Sequence, residues 1–138
     1  MIERINSENI DGMKRAAKNR IDQEFIQKIL KYTMANINRN NFGVEDLSAN
    51  MGMSRSNLFR KVKAVTGQTP VEFIFSIRMK RSLELLIEQK LNISEIAFQV
   101  GFENVSSFSR AFKKQYGMPP SDFGKAACNS GDIPSLPF

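Results

Sequence analysis

The sequence predicts an all-α fold in which two helix–turn–helix units are joined by one long helix. Three observations predict it. The chain repeats itself at low identity about every fifty residues. Apolar residues recur at helical spacing from residue 22 to residue 123. No run alternates apolar and polar side chains between turn residues, as a strand would require.

The repeat is read by setting VEDLSANMGMSRSNLFRKVKAVTGQTPVEF against ISEIAFQVGFENVSSFSRAFKKQYGMPPSDF. Val44 pairs with Ile93, Leu47 with Ile96 and Gly52 with Gly101 at an offset of 49. One extra residue enters the second copy near 103–107. Leu58 then pairs with Phe108, Arg60 with Arg110, Lys63 with Lys113, Gly67 with Gly117, Pro70 with Pro120 and Phe73 with Phe123, at an offset of 50.

Residues 1–20 are polar and basic and carry no apolar stripe; they read as a linker from an upstream domain or a disordered start. A first helix is expected over 22–38, with Phe25, Ile29 and Tyr32 on one face and Ile26, Leu30, Thr33 and Ile37 beside it. Val44–Met51 follows as a short helix. Gly52 ends it, because the residue after a helix often takes a left-handed backbone that only glycine adopts without a Cβ clash. Ser54 caps the next helix, 55–66, whose Leu58, Val62 and Val65 point inward before Gly67 closes it. Thr69 and Pro70 are a cap and first residue for a helix reaching Gln89. Its apolar residues occupy nearly every face, the mark of a helix touched from several sides. Asn92 and Glu95 have capping-box spacing. Ile93, Ile96 and Val100 face inward before Gly101. Glu103 or Asn104 caps a helix carrying Phe108, Phe112 and Tyr116, and Pro119–Pro120 start a last short helix through Phe123. Residues 124–138 read as a mobile tail. The units are thus 21–68, a linking helix over 69–90, and 91–123. Phe98, Phe102 and Phe108 read as core, not as the lining of a ligand pocket.

Composition narrows the function. A chain of 138 residues suits one domain or two small units, and its formal charge of +6 favours a polyanionic partner. The single cysteine, Cys128, allows no internal disulfide and fits a reducing compartment. Histidine is absent, so the commonest general base and the usual zinc ligand sets are missing. No acid–base pair, nucleophile–base pair or phosphate loop stands out, so no enzyme activity, metal or cofactor is expected. No apolar run of about 18 residues is present to span a membrane, and nothing resembles a signal peptide. A cytoplasmic segment without membrane contact is expected.

In a helix–turn–helix the second helix sets its exposed N-terminal part in the major groove while its other face packs. With Leu58, Val62 and Val65 inward, the outward residues of the first copy include Ser56, Asn57, Phe59, Arg60 and Lys63. In the second, Ser106, Ser109, Arg110 and Lys113 point out. Arginine can donate two bonds to guanine, serine and asparagine can bond bases or phosphates, and lysine usually meets phosphate. Ser54, Ser107, Lys61, Lys63, Lys113 and Lys114 are therefore the candidates for backbone contact, although a lysine on a solvated face reads equally as plain surface charge. Arg78, on the linking helix, either braces the two units or meets phosphate. Some 20 residues at ~1.5 Å each give the linking helix ~30 Å, close to the ~34 Å between successive major grooves on one DNA face. A helix–turn–helix can also serve as a protein-docking module; two basic, Ser/Arg-rich outer faces argue against that alternative.

Over 22–123 the chain resembles the DNA-binding domain of the AraC/XylS family of transcription regulators. The residues that carry the resemblance are MGMSRSNLFRKVKAVTGQTPVEFI, IRMKRSLELL and LNISEIAFQVGFENVSSFSRAFKKQYGMPPSDF. It implies seven helices in two homeodomain-like three-helical units with a linking helix between them. It implies base-facing roles for Ser56, Phe59 and Arg60 in the first unit and for Val105, Ser106, Ser109 and Arg110 in the second. Double-stranded DNA and RNA polymerase are the implied partners, and any oligomerisation would lie in an upstream domain. The wording TGQTPVEFI and MGMSRSNL also resembles the output domains of hybrid two-component regulators, whose parent chain can sit in a membrane. Two departures stand out. Ser48 replaces the usual Ala, and its hydroxyl is expected to bond back to a helix carbonyl. Phe59 is apolar at a base-facing position, where it either touches a thymine methyl or packs.

Overall fold

The computed structural model describes residues 7–124 of the chain; the expectations for 1–6 and for the tail beyond 124, Cys128 included, lie outside the described residues. Six helices run Ser7–Asn36 (α1), Val44–Met51 (α2), Arg55–Thr66 (α3), Pro70–Glu88 (α4), Ile93–Gln99 (α5) and Val105–Tyr116 (α6). A final helical segment, α7, covers 120–124.

α1 begins at Ser7, well before the expected 22. Nothing between Ser7 and Asn36 breaks a helix, since the stretch holds no proline. Its buried stripe is Phe25, Ile29, Thr33 and Ile37, four residues apart, while Tyr32 is only half-buried. The inward face is thus rotated slightly from the one expected through Tyr32.

Local signals place the remaining boundaries. The Ser54 hydroxyl accepts from the Asn57 amide at 3.1 Å and starts α3. Thr69 and Glu72 close a capping box at α4, as Asn92 and Glu95 do at α5, each satisfying two backbone donors that a helix start leaves free. Asn104, not Glu103, caps α6 by accepting from the Ser107 amide at 2.8 Å. Ser48 donates to the Glu45 carbonyl at 3.1 Å, as its place in a buried helix face requires.

One core runs through both units. Leu47, Leu58, Val62 and Ile29 fill the first; Ile96, Phe108, Phe112 and Phe123 fill the second. In the second, ring centroids step from Phe102 to Phe108 at 5.4 Å, to Phe112 at 5.8 Å and to Phe123 at 5.8 Å, tilted contacts that add to area burial. α4 lies between the units with Phe73, Ile74, Ile77, Met79, Leu83, Leu85 and Leu86 buried around nearly its whole circumference, as its sequence predicts.

One expectation for the core fails. Phe98 is 54% exposed on α5. α5 is only 7 residues long, and Ile96, Ala97 and Val100 already supply its inward face, so Phe98 is left on the outer side beside Asn40 and Glu103.

Candidate nucleic-acid interface

α3 buries Leu58 and Val62 and exposes Ser56, Asn57, Phe59, Arg60 and Lys63. The outward set expected from the sequence is therefore the outward set of the structure. Arg60 donates to the Asn57 side-chain carbonyl one turn earlier, so the guanidinium is held along the outer face toward the N-terminal end of the helix. Phe59 is 48% exposed and does not pack into the core. It lines a groove of about 510 Å³ with Ser56, Arg60 and Val71. Ser54 uses its oxygen as the helix cap, which leaves its O–H free to donate outward. Lys63 donates to the Gly67 carbonyl at 3.2 Å, at the far end of the helix.

α6 repeats the plan. Phe108 and Phe112 are fully buried, while Ser106, Arg110, Lys113 and Lys114 are exposed and Ser107 and Ser109 are half-buried. Unlike Arg60, Arg110 has no hydrogen bond or ion pair among the described residues.

Three of the expected contact residues are placed elsewhere. Arg78 is 8% exposed. Its Nη1 donates to the carbonyls of Ile37 and Val100, and its Nη2 to those of Arg39 and Phe42. A guanidinium surrounded by carbonyls cannot reach a phosphate, so of the two expectations for Arg78 bracing is the correct one. Burial lowers its pKa from the usual value, and the four carbonyls compensate the desolvated charge. Lys61 is half-buried, with its ammonium 5.0 Å from the centre of the Phe25 ring. It turns toward α1 in a cation–π contact and away from the outer face. Val105 is half-buried and packs against the core. Seven residues from Phe112, it lies about 20° from that buried ring on the helix circumference, on the inward side of α6 and not on its outer face.

With the two outer faces described, comparison with known proteins becomes specific. A helix-turn-helix domain family matches residues 47–126, more than half of the chain. The chain belongs to the AraC-type helix-turn-helix family. It is 42% identical over 103 residues to histidine kinase P4 of Formosa agariphila, a match covering 75% of this chain and 8% of the kinase. The chain therefore spans a small fraction of that relative's length. Among solved structures it resembles the C-terminal domain of the two-component response regulator yesN from Fusobacterium nucleatum, at 30% identity and a TM-score of 0.65, covering 74% of this chain and 96% of that one. It shares the fold of the DNA-binding domain of AdpA, a global transcriptional factor solved in complex with a target DNA, at 21% identity and a TM-score of 0.69, covering 78% and 96%.

In this AraC-type domain three features escaped the sequence reading. Asn57 orients Arg60; the i to i+3 spacing of Asn and Arg was its only signal. Val71, at the start of α4, is 65% exposed and shares the groove with Phe59. Asn40 donates to Glu103 at 3.2 Å across 63 residues of sequence, and nothing local could reveal that pair. Among the described residues no helix is long and apolar enough to cross a membrane.

Proposed function

We propose that this chain is the DNA-binding domain of a transcription regulator, and that α3 and α6 enter successive major grooves of one asymmetric site. One observation carries the reading. Arg60 and Arg110 stand exposed at equivalent places on two helices whose opposite faces are buried, each a turn and a half beyond a side-chain cap. Each arginine suits a guanine edge, with Ser56 and Phe59 beside the first and Ser106 and Ser109 beside the second. The unlike neighbours favour unlike half-sites. α4, at 19 residues, spans about 28 Å, the right order for one helical turn of DNA. The net charge of +6 supplies attraction to phosphate, with Ser54, Ser107, Lys63, Lys113 and Lys114 as the backbone set.

Membership in the AraC-type family and the DNA in the AdpA structure support this reading over a docking module. The kinase and response-regulator relatives support placement as the output domain of a two-component regulator. RNA polymerase on bound DNA is the partner that the family resemblance implies. Selection of bound sites from random DNA, followed by titration at rising salt, tests the core of the proposal. An enriched two-part motif with a steep fall in affinity is expected. Binding without sequence preference, or without salt dependence, would refute it in favour of a docking surface.

A further inference from the structure

The Arg78 guanidinium sits where three parts of the chain meet. Its own helix, α4, is one. The end of α1 and the loop after it, through Ile37, Arg39 and Phe42, is the second. The turn between α5 and α6, through Val100, is the third. The carbonyls of Ile37, Arg39 and Phe42 belong to the unit that carries α3, and that of Val100 to the unit that carries α6. Two further observations mark the same joint. Gly101 has φ +87, and a Cβ there would lie 1.7 Å from Arg78 Nη1 and 2.2 Å from the Ile37 carbonyl oxygen. Backbone and guanidinium therefore close on each other with no room for a side chain. Outside the buried part, Asn40 of the first unit donates to Glu103 of the second.

The geometry points to this joint as the device that sets the distance and rotation between the two reading helices, with Arg78 as its positioning residue and the Asn40–Glu103 pair as a second tie. The assignment of DNA spacing to it rests on the proposal that α3 and α6 read DNA; the rigidity of the joint does not. The planar fork matters. Arginine presents donors in fixed directions to four carbonyls, whereas lysine offers one rotatable ammonium with three protons. Lysine at this place keeps the charge and releases the angle. The consequence is selectivity for half-site spacing. One added base pair moves the second half-site by ~3.4 Å and rotates it by roughly 35°, which a fixed joint cannot follow and a loosened one can.

Two measurements test it. The first needs no DNA. Spin labels on Asn50→Cys and Gln115→Cys, in a Cys128→Ser background, report the distance between the units; both labelled positions are exposed on α2 and α6. A narrow distribution is expected for the parent and a broader one for Arg78→Lys. An unchanged width in a folded Arg78→Lys protein overturns the inference. The second uses the selected site with one base pair inserted or removed between its halves. The parent is expected to lose at least ~10-fold in affinity, and Arg78→Lys less than ~3-fold, with affinity for each isolated half-site unaltered. Equal spacing penalties in the two proteins overturn the spacing role even if DNA reading stands. Should the parent show no sequence preference, the DNA reading fails and the distance distribution still judges the joint. If Arg78→Lys does not fold, Asn40→Ala with Glu103→Ala cuts the exposed tie at the same joint. A broader distribution there supports the inference, and an unchanged one overturns it.

Discussion

Gly101→Ala is the most incisive single substitution in this molecule. Among the described residues four glycines hold a positive φ, at 52, 67, 101 and 117, but they differ in what a side chain would meet. At Gly52 a Cβ finds nothing within 4 Å, whereas at Gly101 it would overlap Arg78 and the Ile37 carbonyl. Both substitutions carry the left-handed backbone cost of about 1–2 kcal/mol. Gly101→Ala must also displace the guanidinium from its carbonyl cradle. Hydrogen bonds to a charged group are worth ~1.5–3 kcal/mol each, and breaking a buried charge network costs about 3–5 kcal/mol. The expected totals are about 1–2 kcal/mol for Gly52→Ala and about 4–7 kcal/mol for Gly101→Ala, a difference of about 3–5 kcal/mol, or a hundredfold and more in the folding equilibrium. Urea unfolding followed by helical circular dichroism measures both, with the slope checked for a common unfolded state. Equal costs at the two sites would refute the placement of Arg78 beneath residue 101, and with it the buried joint.

Other perturbations address the reading faces and the core. Arg60→Ala and Arg110→Ala should each relax preference at their own base positions at a cost of ~1–3 kcal/mol; if neither alters the selected site, the reader assignment is wrong. Lys63→Ala should weaken binding to all sequences and lower the salt slope by about 1, while an unchanged slope would leave Lys63 only its bond to the Gly67 carbonyl. The Tyr116 hydroxyl is buried without a partner among the described residues, and desolvation pushes its pKa up to about 12. The unfolded phenol ionises near its ordinary value of 10.0, so the unfolded state loses its proton first, and stability falls as pH rises from there through the folded value. Tyr116→Phe should stabilise the domain by about 1 kcal/mol and flatten that alkaline loss in urea melts taken at successive pH values. A destabilised variant would mean that the hydroxyl has a partner.

What the sequence made legible is what neighbours in sequence decide. Ser54, Thr69 with Glu72, and Asn92 with Glu95 act within one turn of the backbone they cap, so their spacing is sufficient information. The same holds for the outer faces of α3 and α6, since Leu58/Val62 and Phe108/Phe112 fix the rotation of each helix. Residues whose fate depends on distant segments were harder to place. Arg78 takes its partners 22 to 41 residues away, so its charge could be assigned equally to a phosphate or to a brace. Phe98 was expected inside because it is apolar, but apolar character permits burial without requiring it, and a two-turn helix needed no more. Lys61 lies at the flank of its helix, where a small rotation decides between solvent and core, and Val105, about two turns before Phe112, shares the inward side of that ring. The early start of α1 escaped because polar residues can be helical without a stripe that reveals it.

On the proposed reading of DNA, the Asn57–Arg60 bond, without a counterpart at Arg110 among the described residues, makes the two arginines unequal in what binding still has to order. Ordering a long side chain at an interface costs about 0.5–1.5 kcal/mol. For Arg60 much of that ordering is complete when the chain folds; for Arg110 all of it falls on the encounter. Where both meet guanine, the contact made by α6 carries the larger entropic loss, and calorimetry on isolated half-sites would register it there. The two halves of the proposed site would then differ in how binding is driven even where they present the same base.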